Sequence, residues 1–204
     1  MDTRIGFGWD SHAFKAGVPL RIGGMTLEHP EGLAGHSDGD VLLHAITDAL
    51  LGSVAAGDIG SYFPPGDPRW KDADSAIFLK VALEELQHAG FRIVNVDTTL
   101  VLAAPKIGPI AGEMRARVAD LLGVELDQVS IKAKTPEGLN LDHVAQCHAV
   151  VLVERVTDAD ELKSMSAVIE SQKQLEDVVD DLLASVHGVP KKRPAPVYDT
   201  EDIT

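Results

Sequence analysis

Asp10 and His12 stand two residues apart at the end of a short apolar run, Arg4 to Trp9. If that run continues as a strand, side chains two apart point to one face, and a carboxylate lies beside an imidazole. Zinc accepts both ligand types, so the pair is the beginning of a metal site, although the spacing alone also arises by chance. His44 adds a third donor. On a helix from Val41 to Leu51 it shares a polar stripe with Asp40, Thr47 and Asp48, away from the apolar stripe of Leu42, Ile46, Ala49 and Leu50. An imidazole on that stripe is either a ligand or simply solvated. Asp10, His12 and His44 together would supply three protein ligands and one open position, the pattern of a catalytic zinc. Whether they meet is a question for the fold.

His36-Ser37-Asp38-Gly39-Asp40 leads into the same helix. It offers an imidazole, a hydroxyl and a helix N-terminus, all suited to a phosphate, and it reads equally as an N-cap. Gly57-Asp58-Ile59-Gly60, Phe63-Pro64-Pro65-Gly66-Asp67 and Ala104-Pro105-Lys106 have the composition of turns. Lys132-Ala133-Lys134-Thr135-Pro136-Glu137 ends a strand-like run with two cations, a hydroxyl and a carboxylate. Glu137 on its own reads as a solvated loop acid. His88, His143, His148 and His187 show no partner spacing and read as structural or exposed.

The elements that must position these groups alternate in type. Arg4–Trp9 and Pro19–Gly23 read as short strands bounded by glycine. Asp40 caps the helix that ends at Gly52. Ser75 is the expected cap of a second helix, with Phe78, Leu79, Ala82, Leu83 and Leu86 apolar and Gly90 at its end. Arg92–Leu102 is a long β-rich run. Pro109 is expected to open a third helix, with Ile110, Met114, Val118, Leu121 and Leu122 on one side. Val129–Lys134 and Ala145–Glu154 complete the strands. Strands interleaved with three helices imply a layered α/β or α+β domain, one sheet covered by helices. Such a sheet often leaves its other face for a neighbour, so an oligomer is plausible.

Composition bounds the function from outside. The chain has 204 residues, 45% hydrophobic and 25% charged, which suits one globular domain plus an appendage. Its net charge of −14 argues against nucleic-acid and anionic-membrane binding, both of which need basic surface. A phosphorylated substrate must then be met locally, by metal ions or backbone N–H groups. Cys147 is the one cysteine, so no disulfide forms within the chain. No apolar stretch is long enough to span a bilayer, and Met1 to Arg4 lead into no signal-type run, so cytoplasm is the expected compartment. Residues 157–204 differ in texture, with eleven acids, five bases and a Pro-rich end. There Met165, Val168, Leu175, Val179, Leu182 and Val186 fit an amphipathic helix over about residues 160–187, followed by a disordered Pro-rich, acidic segment.

Five segments in this order resemble the 2-C-methyl-D-erythritol 2,4-cyclodiphosphate synthase family: Gly6-Phe7-Gly8-Trp9-Asp10-Ser11-His12, His36 to Asp40, His44 to Gly52, Gly57 to Gly60, and Ala104 to Lys106. The resemblance runs from about Arg4 to Val156 and divides the chain into a domain 1–156 and an extension 157–204. It implies a homotrimer around a threefold axis, with mixed four-stranded sheets and active sites between subunits. It implies conversion of 4-diphosphocytidyl-2-C-methyl-D-erythritol 2-phosphate to the cyclic diphosphate and CMP. By position, Asp10, His12 and His44 match zinc ligands, and Glu137 matches the ligand of a second cation, Mg2+ or Mn2+. His36 and Thr135 match groups that hold and polarise the reacting phosphates, with Ser37 beside them. Asp58, Ile59 and Gly60 match the methylerythritol side, and Phe63, Pro64, Pro65, Gly66 and Asp67 a flexible substrate loop. Ala104, Pro105 and Lys106 match the cytosine pocket, with Lys134, Pro136 and Glu137 completing the substrate contacts. After Glu137 the chain departs from the family: residues 138–147 are about three shorter and lack its usual Arg and Glu. Two other readings stand beside this one, a zinc phosphohydrolase on the same Asp-x-His site and an inactive trimeric scaffold.

Overall fold

The computed structural model describes residues 2–157 together with residue 170. The chain divides into two units, Met1–Arg155 and Val156–Thr204, and the strands and helices that can position the site belong to the first. Of the helix expected over about 160–187 only Glu170 is among the described residues, helical and exposed, and the rest lies outside them.

The first strand, β1, is Thr3–Ala16, far longer than its apolar start. A hairpin of β2 (Leu20–Ile22) and β3 (Met25–Leu27) follows, then β4 (Glu31–Leu33). Helices α1 (Val41–Ser53), α2 (Ile59–Tyr62) and α3 (Ser75–His88) lead to β5 (Phe91–Val101). Helix α4 (Ala111–Leu122), β6 (Val129–Lys134) and β7 (Val144–Arg155) complete the unit. The main sheet has the order β4-β1-β7-β5-β6. Only β5 and β6 run parallel; the other pairs are antiparallel. The architecture is therefore α+β with a mixed sheet, of five strands where four were expected. The fifth exists because β1 runs on past Trp9, and its far end, Phe14–Ala16, pairs with β4.

Alternation along the strands separates two faces. Gly6, Gly8, Ala145, Cys147, Ala149, Val151, Val153, Val96, Thr98 and Leu100 are buried, on the side that the helices cover. On the other side of β1 and β7, Ile5, Phe7, Trp9 and Val150 are 70%, 61%, 48% and 41% exposed, a group of large apolar side chains on one sheet face.

Helix α1 rests on β1 and β7 with α3 beside it, and it is buried almost all round: Asp40 and Thr47 are as enclosed as Leu42, Ile46 and Leu50, and His44 is buried with them. The polar stripe read from the sequence is thus an interior stripe. Asp40 can lie there because four amides satisfy its carboxylate, those of Leu42 and Leu43 in α1 and of Gly23 and Gly24 in the β2–β3 turn. Strand and helix touch backbone to backbone. A Cβ on Gly6 would stand 1.8 Å from the Ala49 carbonyl oxygen, and one on Gly8 2.0 Å from that of Ala45.

Two expected helix starts move. Asp74, not Ser75, caps α3 by accepting the Ala76 amide, and Ser75 is its first, wholly buried residue. Pro109 belongs to a 3-10 turn, Gly108–Ile110, that precedes α4. Among the described residues no helix is long and apolar enough to cross a membrane.

Candidate metal centre and active site

The contacts of Gly6 with Ala49 and Gly8 with Ala45 set the next steps on the same strand face. Asp10 and His12 follow at period two, and His44 follows on α1 toward its N-terminus. The three side chains meet. Asp10 Oδ2 lies 2.9 Å from His12 Nε2 and 3.0 Å from His44 Nδ1, and the two imidazole nitrogens are 3.1 Å apart.

That triangle fits a cation. Three corners of a tetrahedron lie ~3.3 Å apart around a zinc with bonds of about 2.0 Å, so the observed spacings need to widen only slightly. The donor set, two imidazole nitrogens and one carboxylate oxygen, is one that zinc takes readily. As a set of hydrogen bonds, Asp10 Oδ2 can accept from both rings, which leaves the two imidazole nitrogens 3.1 Å apart with no hydrogen bond between them. Electrostatics agree. Burial opposes charge on Asp10, but the hydrogen bonds from His12 and His44 outweigh it and hold the carboxyl well below the usual range. Burial likewise opposes charge on His44; the Asp10 hydrogen bond and charge, aided by Asp40 and Asp38, overcome it and raise its pKa. The pocket is therefore electronegative and draws a positive centre, a proton or a metal ion. Asp10, His12 and His44 form the metal-competent group found among the described residues.

Around the triad the expected phosphate and substrate residues fall into two places. Ser37 Oγ is 3.1 Å from His44 Nε2. Exposed His36 donates Nε2–H to the Asp67 carbonyl at 3.0 Å, joining its loop to residues 64–67. Asp58 caps α2 through the Ser61 amide, while the Ile59 amide is held by Asp48 of α1. Pro64, Pro65 and Gly66 are exposed, but Phe63 is packed beneath them, its ring 4.3 Å from that of Phe78 and 4.9 Å from Trp70.

The second place is a cleft of about 420 Å³ lined by Pro105, Lys106, Lys134, Thr135 and Glu137 with Leu102, Ile107 and Ile131 behind them. The Ala104–Pro105 peptide there is cis, Pro136 is buried, and Thr135 Oγ1 donates to Glu137 Oε1. Register fixes its separation from the triad. Asp10 is opposite Cys147, Cys147 opposite Leu100, and Leu100 opposite Ala133, three strand spacings or about 14 Å. Both groups sit at the same end of the sheet, because β1, β5 and β6 point the same way. Glu137 does not join the triad within one chain.

Two residues of the site escape sequence reasoning, Ser75 and Asp48. Ser75 reads there only as a cap, yet its Oγ lies 2.8 Å from His44 Nε2. Asp48 stands on the stripe of His44, one turn further on, which is the signal the sequence offers for it.

The family model described as the YgbB family matches residues 3–154. A 2-C-methyl-D-erythritol 2,4-cyclodiphosphate synthase of Koribacter versatilis (strain Ellin345) is 62% identical over 152 residues, covering 74% of this chain and 98% of that protein. One of Moorella thermoacetica is 53% identical over 136 residues, 67% of this chain and 83% of the relative. A solved structure of such a synthase superposes with a TM-score of 0.71 at 40% identity, covering 74% of this chain and all of its own. Another, described as a CDP-bound form, gives 0.70 at 38% identity with coverage of 74% and 100%.

Proposed function

The chain belongs to the YgbB family of 2-C-methyl-D-erythritol 2,4-cyclodiphosphate synthases, and from that premise we infer how its residues divide the work of that reaction. The enzyme converts 4-diphosphocytidyl-2-C-methyl-D-erythritol 2-phosphate to 2-C-methyl-D-erythritol 2,4-cyclodiphosphate and CMP, a step of isoprenoid precursor synthesis. The observation that carries the mechanistic reading is the Asp10–His12–His44 triangle, a three-donor face with its fourth side open.

An oxygen of the substrate's 2-phosphate attacks the β-phosphorus of its own diphosphate. A new P–O–P bond forms, the bond from the β-phosphorus to the bridging oxygen breaks, and CMP leaves with that oxygen. The attacking phosphate is already an anion, so no side chain must remove a proton. The difficulty is bringing anions together, and positioning with charge neutralisation is the ordinary remedy in phosphoryl transfer. Bound cations, Zn2+ at Asp10, His12 and His44 and Mg2+ or Mn2+ at Glu137, supply that positive charge. His36 and Ser37, at the lip of the triad, orient the phosphates, and Thr135 polarises them from the cleft side. Asp58, Ile59 and Gly60 hold the methylerythritol hydroxyls, while residues 64–67 close over it from a base anchored by Phe63. Backbone around Ala104, Pro105 and Lys106 seats the cytosine, with Lys134 and Pro136 at its edge.

The cations at the triad and at Glu137 must both meet the reacting phosphates, yet about 14 Å of sheet separates the two groups of residues within a chain. This supports an assembly in which the triad of one copy faces the cleft of the next, as in a homotrimer. The exposed Ile5, Phe7, Trp9 and Val150 supply apolar surface for it. The unpaired, buried Cys147 suits a reducing cytoplasm, and residues 1–156 are taken as the catalytic domain.

The test is an assay for CMP and cyclic product with and without a chelator. Equimolar CMP and cyclic diphosphate, abolished by chelation and restored by added metal, is the expected result. Release of free inorganic phosphate would identify a phosphohydrolase, and no turnover under any metal a scaffold.

A further inference from the structure

Ser75 carries a fully buried hydroxyl that cyclisation does not use directly. Its neighbour Asp74 caps α3, so the hydroxyl is not there to start the helix. Ser75 Oγ lies 2.8 Å from His44 Nε2 and makes a short contact with Asp38 Oδ1. The direction of each hydrogen bond is set by the partners. Asp38 is surrounded by donors: the Asp40 amide reaches Oδ1 at 3.2 Å, the Ser75 amide reaches Oδ2 at 3.2 Å, and Arg21 Nη1 stands 4.0 Å from Oδ2. An oxygen held in that way accepts, so the Ser75 hydroxyl spends its one proton on Asp38. Ser75 Oγ can then only accept from His44, which places a hydrogen on Nε2.

We propose that Asp38 and Ser75 are positioning residues of the metal centre, a hydrogen-bonded chain that fixes the tautomer and ring plane of His44 so that Nδ1 faces the cation. The proposal rests on the reading of Asp10, His12 and His44 as metal ligands. Nδ1 is the atom in contact with Asp10 Oδ2 and His12 Nε2, and the neutral imidazole with its hydrogen on Nε2 turns a lone pair there, in place of the proton that the charged ring donates to Asp10. The chain joins three elements: His44 belongs to α1, Asp38 to the loop before it, and Ser75 opens α3. Packing of α3 against α1 is thereby coupled to the direction of one ligand. Ser37 Oγ, 3.1 Å from the same Nε2, is a second acceptor, but it sits on the half-exposed loop, whereas Ser75 is enclosed. Outer partners of this kind ordinarily tune metal affinity about 10- to 100-fold.

Zinc affinity of the full chain, measured by competition with a chromophoric chelator, tests this in the unaltered protein, Ser75→Ala, Ser75→Thr and Asp38→Asn. The unaltered protein should bind one zinc at the triad. Ser75→Ala, and Asp38→Asn, whose single carbonyl oxygen cannot accept from both the hydroxyl and the amide of Ser75, should bind it about 10- to 100-fold more weakly, with Ser75→Thr, which keeps the hydroxyl, recovering most of the loss. Nitrogen-15 spectra of histidine-labelled, zinc-loaded protein give a second readout. The His44 Nε2–H should be protected from water exchange in the unaltered protein and exchange rapidly in Ser75→Ala. Melting of the metal-free variants identifies any that fail to fold, and Asp38→Asn, which preserves shape, then carries the comparison. Zinc binding that is lost in His44→Ala but unchanged in Ser75→Ala and Asp38→Asn overturns the chain and leaves the metal reading intact. No zinc binding by the unaltered protein overturns both.

Discussion

Asp48 Oδ1 accepts the Ile59 amide at 2.8 Å, so the helix that carries His44 also holds, one turn further on, the turn that carries Asp58. Burial raises the pKa of Asp48; the Ile59 bond opposes this, and the negative charges of Asp58 and Asp10 add to the rise. A carboxyl with a raised folded pKa binds its proton more tightly folded than unfolded. Its contribution to stability is present below the ordinary value of 3.8 and is lost as pH rises through the higher folded value. Asp48→Asn keeps an oxygen for the Ile59 amide and removes the charge. Relative to the unaltered protein it should therefore show little gain at pH 3.5 and a growing gain in urea midpoint toward pH 7. A constant difference across that range would contradict the assignment.

His44→Ala removes one corner of the triad. Bound zinc, measured by elemental analysis after dialysis, should fall from one per chain to near none, and CMP release should fall below detection. His44 is only 8% exposed and its ring lies 6.0 Å from that of Phe78. The substitution should therefore also cost about 1–3 kcal/mol of stability, as buried truncations commonly do. Full turnover in metal-stripped His44→Ala would remove the zinc assignment.

Gly8→Ala tests the contact that aims the strand. The added Cβ would meet the Ala45 carbonyl oxygen at 2.0 Å and the Ala49 amide nitrogen at 2.7 Å, both backbone atoms that cannot rotate away. Overpacking of this sort costs about 1–3 kcal/mol or more. Metal affinity should drop as well, because α1 must lift from β1 and carry His44 away from Asp10. A Gly8→Ala protein with unchanged melting temperature and zinc affinity would show that the helix does not rest there.

Much of this arrangement is legible in the chain. Asp10 and His12 sit where period two puts them, and Asp40 caps α1 as its position before Val41 indicates. What escapes reading depends on distant contacts. Along the continuation of β1 from Ser11 to Ala16 only Phe14 packs against the core, so the stretch carries no apolar alternation and is positioned by pairing with β7 and β4. The Asp40–His44–Thr47 stripe looks solvent-facing because polar residues ordinarily mark an outer face. Here α3 covers it at His44 and the β2–β3 turn covers it at Asp40, and hydrogen bonds satisfy it, Thr47 Oγ1 donating to the Leu43 carbonyl at 2.8 Å. Ser75 next to Asp74 offers two side chains of the kind that cap helices, and local rules do not choose between them; His44, thirty-one positions away, does.

Truncation after Val156 separates the domain from its extension. Every group given a part in cyclisation lies between Asp10 and Glu137, and the family match ends at residue 154. The shortened protein should keep its kcat and KM for substrate, with at most a lower melting temperature. A truncated protein of unchanged oligomeric state that loses turnover would show that residues 157–204 reach the active site.

The separation of Asp10 from Thr135 and Glu137 gives a test of shared sites that needs no further structure. His44→Ala spoils the triad and leaves the cleft intact; Glu137→Ala does the reverse. Each alone should be inactive. If a site is built from the triad of one subunit and the cleft of the next, a mixed oligomer contains sites whose triad comes from Glu137→Ala and whose cleft comes from His44→Ala. In a ring of head-to-tail contacts, random equal mixing makes about one site in four whole. Co-refolding the two proteins should therefore restore about a quarter of the unaltered activity, whereas simple mixing without subunit exchange should restore none. The recovered activity should scale with the product of the two fractions, reaching its maximum at equal amounts. If each chain were a complete enzyme, every subunit in the mixture would still carry one lesion, and co-refolding would recover nothing at any ratio.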